Sequence, residues 1–172
     1  MKVILWMAMS LNGIIAREHN EEDFISHDSW LAWLDAIQKS GCVLWGRKTY
    51  QIVRTWSEQY INDLDGVKFI IISSDPSYQV DERFRLASSP QKALEQLKND
   101  GFRSVVLTGG SILNSSFAKL NLIDEIIFNI EPVIVGKGIP VFTPEVFDLK
   151  LEFVKMKNTT SGQIQLYYKV LK

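Results

Sequence analysis

A rhythm constrains the fold of this chain more than any single motif does. From Val3 to Ile130, short and almost wholly apolar runs alternate with stretches of helical spacing. Successive side chains of a strand point to opposite faces, so a run apolar at every position needs cover on both sides. Helices placed between such strands supply that cover, which is the logic of β-α-β units and a mostly parallel sheet.

The runs Val3–Ala8, Cys42–Trp45, Lys68–Ser73, Ser104–Thr108 and Asp124–Ile130 read as strands of this kind, with room for a short one at Arg85–Ala87. A polar loop is expected from Ser10 through Ser26. Trp30, Trp33, Leu34 and Ile37 then recur at i, i+3, i+4, i+7, the buried stripe of a helix that Gly41 ends. A second helix is expected near Lys48, after Gly46. Ser89-Pro90 reads as N-cap and first helical residue, since proline lacks only an N–H that a helix start leaves unused. That helix carries Ala93, Leu94 and Leu97 and closes at Gly101; another spans Ser111–Leu120.

Beyond Pro132 the pattern changes. Gly136-Lys-Gly138 signals a turn, and Leu151–Met156 and Gln163–Leu171 read as strands joined through a loop with Asn158 and Gly162. In the last run Ile164, Leu166, Tyr168 and Val170 alternate with Gln163, Gln165, Tyr167 and Lys169, as in an antiparallel strand near a sheet edge. The expected fold is one α/β domain over residues 1–172, parallel first and antiparallel at its C-terminal end. The exposed last strand would suit a homodimer.

Charge and composition narrow the function. The 19 Lys+Arg nearly cancel the 20 Asp+Glu, leaving −1, which argues against a protein held to nucleic acid by a broad basic surface. One cysteine, Cys42, offers no internal disulfide, and with two histidines it makes a zinc cluster improbable. His19 and His27 flank Glu21-Glu-Asp23, read as a solvated loop in preference to a metal site. Cys42, in a buried strand, reads as an inert thiol. No apolar run approaches the roughly 20 residues of a membrane span, and no signal-peptide pattern opens the chain. The expectation is a soluble cytoplasmic domain with a small-molecule partner.

In an open parallel sheet, ligands bind beyond the carboxyl ends of the strands. There the chain places Met9-Ser-Leu-Asn-Gly-Ile-Ile-Ala16, Gly46-Arg-Lys-Thr-Tyr50, Ser73-Ser-Asp75 and Thr108-Gly-Gly-Ser111. Each segment alone could be an ordinary turn or helix start. Their joint placement after successive strands points to a dinucleotide site. Helix starts at Arg47 and Ser111 present free N–H groups to phosphate, and Gly46, Gly109 and Gly110 let a ligand approach bare backbone. The usual phosphate motifs, G-x-G-x-x-G and G-x-x-x-x-G-K-[ST], are absent. Trp6, Trp45 and Trp56 read as core or pocket wall.

These segments, with Thr108-Gly-Gly-Ser-Ile-Leu113 and Leu122-Ile-Asp-Glu-Ile…Pro132-Val-Ile-Val-Gly136…Phe142, resemble the dihydrofolate reductase-like family. The nearer branch contains the C-terminal reductase domain of the bifunctional riboflavin biosynthesis deaminase-reductase, a 5-amino-6-(5-phosphoribosylamino)uracil reductase. The resemblance runs nearly the whole chain in the same order. It implies a three-layer sandwich and an NADPH-dependent reductase passing a hydride to a small pterin- or pyrimidine-like heterocycle. It further implies Arg47 at the 2′-phosphate, Thr49 at the pyrophosphate, and Ser73 and Ser74 along the adenosine end. Gly109, Gly110 and Ser111 would cradle the diphosphate, across a cis Gly-Gly bond, and Gly46, Thr108 and Leu113 would also belong to the cofactor site. Ala8, Ile15 and Ala16 would border the nicotinamide.

The substrate side departs from the family pattern. Trp30 stands where dihydrofolate reductases carry their acid, leaving Asp28 the nearest catalytic candidate, although a terminal charge favoured by the helix dipole is the better account of that residue. Asn12 and Ile14 replace the usual Asp and Lys of the riboflavin branch, and Thr108 replaces an acid before the Gly-Gly pair. Asn12 and Trp30 are the substrate-binding candidates. The alternative function is a non-catalytic nucleotide or pterin binder on the same fold. A purely structural interaction domain would leave Arg47 and the cleft glycines unexplained.

Overall fold

The computed structural model describes residues 1–159 and 161–172. Its frame is an eight-stranded sheet. The strands are β1 (Lys2–Ser10), β3 (Cys42–Gly46), β4 (Lys68–Ile72), β5 (Phe84–Ala87), β6 (Ser104–Leu107), β7 (Glu125–Glu131), β9 (Lys150–Asn158) and β10 (Ile164–Leu171). Their order is β5-β4-β3-β6-β1-β7-β10-β9. Every pairing from β5 to β7 is parallel, and β10 pairs antiparallel with both β7 and β9. This is the mostly parallel α/β sheet with antiparallel C-terminal strands that the apolar rhythm requires.

The helices are α1 (His27–Ser40), α2 (Arg47–Val53), α3 (Glu58–Asn62), α4 (Pro90–Asn99) and α5 (Ser111–Lys119). Ser26 caps α1, its hydroxyl accepting the Ser29 N–H, and Gly41 ends it at φ 73°, a conformation costly for residues with a Cβ. Ser89 caps α4 with Pro90 in its first turn. Two apolar cores cover the two faces of the sheet. Trp33 and Ile37 of α1 with Tyr50 and Val53 of α2 pack on Trp6, Val43, Trp45, Phe69 and Ile71. Ala93 and Leu97 of α4 with Leu113 and Phe117 of α5 pack on Val3, Leu5, Leu44, Ile70 and Leu107. The result is three layers.

The structure corrects three sequence expectations. The stretch from Ser10 to Ser26 is not all loop: Ile14–Arg17 is β2, paired antiparallel with β8 (Gly138–Pro140), so the glycine expected in a turn begins a strand. Gly138 is required there, because a Cβ would stand 2.4 Å from the Ala16 carbonyl oxygen. The short helix α3 carries no apolar stripe to announce it. Finally, β10 is not the edge. It is paired on both sides, and β9, exposed at all its positions, forms the border of the sheet. The start of the last run also inverts the expected faces: Gln163 and Gln165 are buried, while Ile164 is exposed.

Candidate functional site

Strands β3 and β6 are neighbours, yet the helices leaving them go to opposite faces, α2 to one core and α5 to the other. Such a divergence opens a crevice at the strands' carboxyl ends. Its floor is backbone. The Gly46 N–H donates to the Gly109 carbonyl at 2.9 Å, and the Gly109–Gly110 peptide bond is cis, as the resemblance implied. Gly109 has φ +95°, a value L side chains avoid, and a Cβ on Gly110 would stand 3.4 Å from Thr49 Oγ1. A Cβ on Gly46 would meet that of Leu113 at 3.6 Å. Leu113 is therefore wall beneath the floor.

At the outer end of the crevice, Arg47 Nη1 donates to Asp75 Oδ2 at 3.4 Å, with the guanidinium 5.6 Å from the centre of the Tyr78 ring. The Asp75 carboxyl lies below its usual range because the Ser77 hydroxyl and N–H donate to it, with Arg47 adding a smaller share. Ser73 is buried, its hydroxyl accepting the Asp75 N–H at 3.2 Å, and Ser74 is exposed beside it. Ser111 opens α5, but its hydroxyl bonds Thr143 Oγ1 at 2.9 Å. Only the backbone N–H groups of that turn remain for a ligand.

Inward from the glycines lies a cavity of about 130 Å³. Ala8, Ile15, Trp30, Thr49 and Thr108 line it, bringing five of the sequence-derived candidates together. All five tryptophans of the chain, Trp6, Trp30, Trp33, Trp45 and Trp56, are in its wall. Trp30 and Trp33 lie with centroids 5.0 Å apart, and Trp33 stacks on Trp45 at 6.1 Å. The indole N–H of Trp33, a residue only 6% exposed, has no partner among the described residues.

The remaining candidates are elsewhere. Asp28 hydrogen-bonds the Ser161 hydroxyl in the β9–β10 connection and is not among the residues lining the cavity. The amide of Asn12 is engaged by backbone of the β7–β8 connection and by Ser10: Nδ2 donates to the Val135 carbonyl at 2.7 Å, and Oδ1 accepts the Val135 N–H at 3.1 Å and the Ser10 hydroxyl at 2.8 Å. Ala16 is buried in the β2–β8 pair. Cys42 is fully buried, which pushes its thiol up to about 12.

Sequence reasoning missed two carboxylates. Glu22 lines the cavity at its rim, an exposed residue whose carboxyl is pushed up to about 7 by desolvation alone. The loop carrying it is pinned to β2: the Arg17 N–H donates to the Glu21 carbonyl at 2.8 Å, and the Arg17 guanidinium grips Asp23 at 2.5 and 3.0 Å. Within a run of three acids, nothing in sequence distinguishes the one that turns inward. The second is Glu131, 2% exposed at the end of β7. Its carboxylate accepts the Ser26 N–H at 3.0 Å, the Ser26 hydroxyl at 2.9 Å, the Ser29 hydroxyl, and Gln163 Nε2 at 3.3 Å. It thereby fixes the first turn of α1, from which Ser29, Trp30 and Trp33 reach the cavity.

A parallel sheet with a glycine-floored crevice at its switch point and a tryptophan-lined pocket beside it is the frame of a reductase-like domain. The sequence profile of the RibD C-terminal domain matches residues 1–165, and the chain belongs to that family. The family supports a reductase-like function related to riboflavin biosynthesis. The chain is 31% identical over 173 residues to the uncharacterised protein YwjB of Bacillus subtilis, covering 97% of each. It is 27% identical over 180 residues to YyaP of the same organism, covering 97% of this chain and 94% of that one. A putative riboflavin biosynthesis protein from Shewanella sp. PV-4 shares the fold at TM-score 0.79 and 19% identity, each chain covered completely. So does a Thermotoga maritima diaminohydroxyphosphoribosylaminopyrimidine deaminase/5-amino-6-(5-phosphoribosylamino)uracil reductase, at TM-score 0.76 and 17% identity over 99% of this chain and 56% of that longer one. Among the described residues no helix is long and apolar enough to cross a membrane.

Proposed function

We propose that the protein is an NADPH-dependent reductase that passes a hydride to a small heterocycle held in the tryptophan-lined cavity. The observation that carries this reading is the bare backbone floor, Gly46 against the cis Gly109–Gly110 turn, set between the Arg47 end and the cavity. Side chains at these positions would fill the space a diphosphate needs, so the residues present fit a dinucleotide. Gly109, Gly110 and the first N–H groups of α5 would hold the diphosphate. Arg47 would meet the 2′-phosphate through its planar fork, with Ser73 and Ser74 nearby. The bound nicotinamide supplies the hydride. Ala8, Ile15, Thr49 and Thr108, at the junction, would position its ring against the cavity and keep water out.

The test is a titration of the purified protein with NADPH, read by energy transfer from the cavity tryptophans. Saturation at micromolar concentration is expected, and an unchanged spectrum at millimolar NADPH would overturn the reading. Saturable binding with no oxidation of NADPH across a panel of heterocycles would favour the non-catalytic binder.

We also propose that the protein is a homodimer joined along β9, the true edge, in place of β10. Phe153, Val154 and Met156 stand 53–58% exposed on this strand, which is paired on the β10 side alone and which no proline interrupts. Sedimentation at micromolar concentration should give twice the chain mass in the wild type and one chain mass in Val154→Pro; a monomeric wild type refutes it.

A further inference from the structure

Resting on the reductase reading, we propose that the cavity takes an unphosphorylated, planar nitrogen heterocycle and that Glu22 hydrogen-bonds a ring nitrogen of it and delivers the proton of the reduction. Two observations point there. First, five tryptophans stand in the wall among smaller apolar side chains, which suits the face of a flat ring. Second, Glu22 is the only ionisable side chain among the residues lining the cavity: no lysine, arginine or histidine is among them. A phosphate dianion placed here would meet a carboxyl and no cation to neutralise it. This sets the cavity apart from what a phosphoribosyl substrate demands.

The carboxyl is suited to the task because desolvation keeps it protonated close to neutrality, where an ordinary glutamate is a carboxylate. A ring C=N gains the cofactor's hydride at carbon and the Glu22 proton at nitrogen, becoming CH–NH, while the dihydronicotinamide is oxidised to nicotinamide. The carboxylate left behind regains its proton from water at the open mouth. Asp28, held by Ser161, takes no part.

The experiment reads binding, not turnover. Tryptophan emission of the wild type and of Glu22→Gln is titrated with 2-aminobenzimidazole, a flat ring whose N–H and basic nitrogen match a carboxyl, and with uridine 5′-monophosphate, flat but phosphorylated. NADPH affinity is measured on both proteins in parallel. The expected result is saturable quenching by 2-aminobenzimidazole, at least 10-fold weaker in Glu22→Gln, with NADPH affinity unchanged and no saturation by the phosphorylated probe. Equal affinity of wild type and Glu22→Gln for 2-aminobenzimidazole overturns the role of Glu22. Tighter binding of uridine 5′-monophosphate, or no binding of 2-aminobenzimidazole to a protein that binds NADPH, overturns the substrate class while the reductase reading stands. Binding of the heterocycle by a protein indifferent to NADPH reverses that outcome.

Discussion

The two halves of the cleft are made of different materials. The outer half is bare backbone and exposed polar side chains: Gly46, Gly109 and Gly110 on the floor, Arg47 and Asp75 facing solvent. The inner half is side chain throughout, five tryptophans and an acid on a wall fixed from behind by Glu131. A site of backbone and surface charge is indifferent to most distant mutations. A site of packed rings depends on whatever holds the rings. Perturbations should therefore separate the halves.

The largest separation is expected from Glu131→Ala. It strips a buried acceptor from the Ser26 N–H and hydroxyl, the Ser29 hydroxyl and Gln163 Nε2, so several donors lose their partner away from water. A loss of about 3 kcal/mol in unfolding free energy is expected, the range for removing one member of a buried charged network. The inner half should loosen with it: tryptophan emission should shift to the red while NADPH affinity changes little. Urea denaturation and an NADPH titration on the same preparation check this; equal damage to both halves would dissolve the distinction.

Next is Arg47→Ala, acting on the outer half alone. A charge-assisted hydrogen bond contributes roughly 1.5–3 kcal/mol, so NADPH should bind about 10- to 100-fold more weakly. NADH, lacking the phosphate, should be nearly unaffected. If both cofactors weaken equally, Arg47 supports structure instead of reading phosphate. Asp75→Asn should act in the opposite direction. Removing the carboxylate 3.4 Å from the guanidinium frees Arg47 and lifts a repulsion from the phosphate. Both groups are exposed, so the gain for NADPH should be at most about fivefold, from roughly 1 kcal/mol, and should fade in high salt.

The same division explains what could be read from sequence. The outer half follows from local rules: a glycine after an apolar run is visible one residue at a time, so the placement of Gly46, Arg47, Gly109 and Gly110 at the strand ends is legible in sequence. The sheet was legible too, because an apolar run fixes burial on both faces. The inner half is assembled by tertiary contact. Glu22 and Trp56 arrive from separate segments, and Glu131 acts through Ser26 and Ser29, more than 100 residues away. No spacing rule connects them. Asp28 and Asn12 were plausible by position, yet their side chains engage Ser161 and Val135 respectively, and only the folded chain reveals that. The edge was misread for a related reason: alternation in Gln163–Leu171 gives a strand two faces but does not say which neighbour comes after it.

The smallest effect bears on the inner half alone. Burial raises the Glu22 carboxyl from 4.5 to about 7, so between these values the folded protein holds a proton that the unfolded chain releases. Stability contributed by this group is therefore complete below about 4.5 and declines as pH rises, until the carboxylate is fully charged against the aromatic wall above 7. Glu22→Gln keeps the shape and removes the titration. At pH 5 its melting temperature should exceed the wild type's by only a small part of the full difference, since both folded side chains are neutral there and most of the window between 4.5 and about 7 lies above. At pH 8 the mutant should melt higher, because only the wild type carries a charge beside the rings. The rim is open to water, so the shift should be small, and the difference between the two pH values is the diagnostic quantity. Calorimetry at pH 5 and pH 8 decides it: a gap that is the same at both means the carboxyl titrates as an ordinary surface glutamate, and the inner half loses its acid.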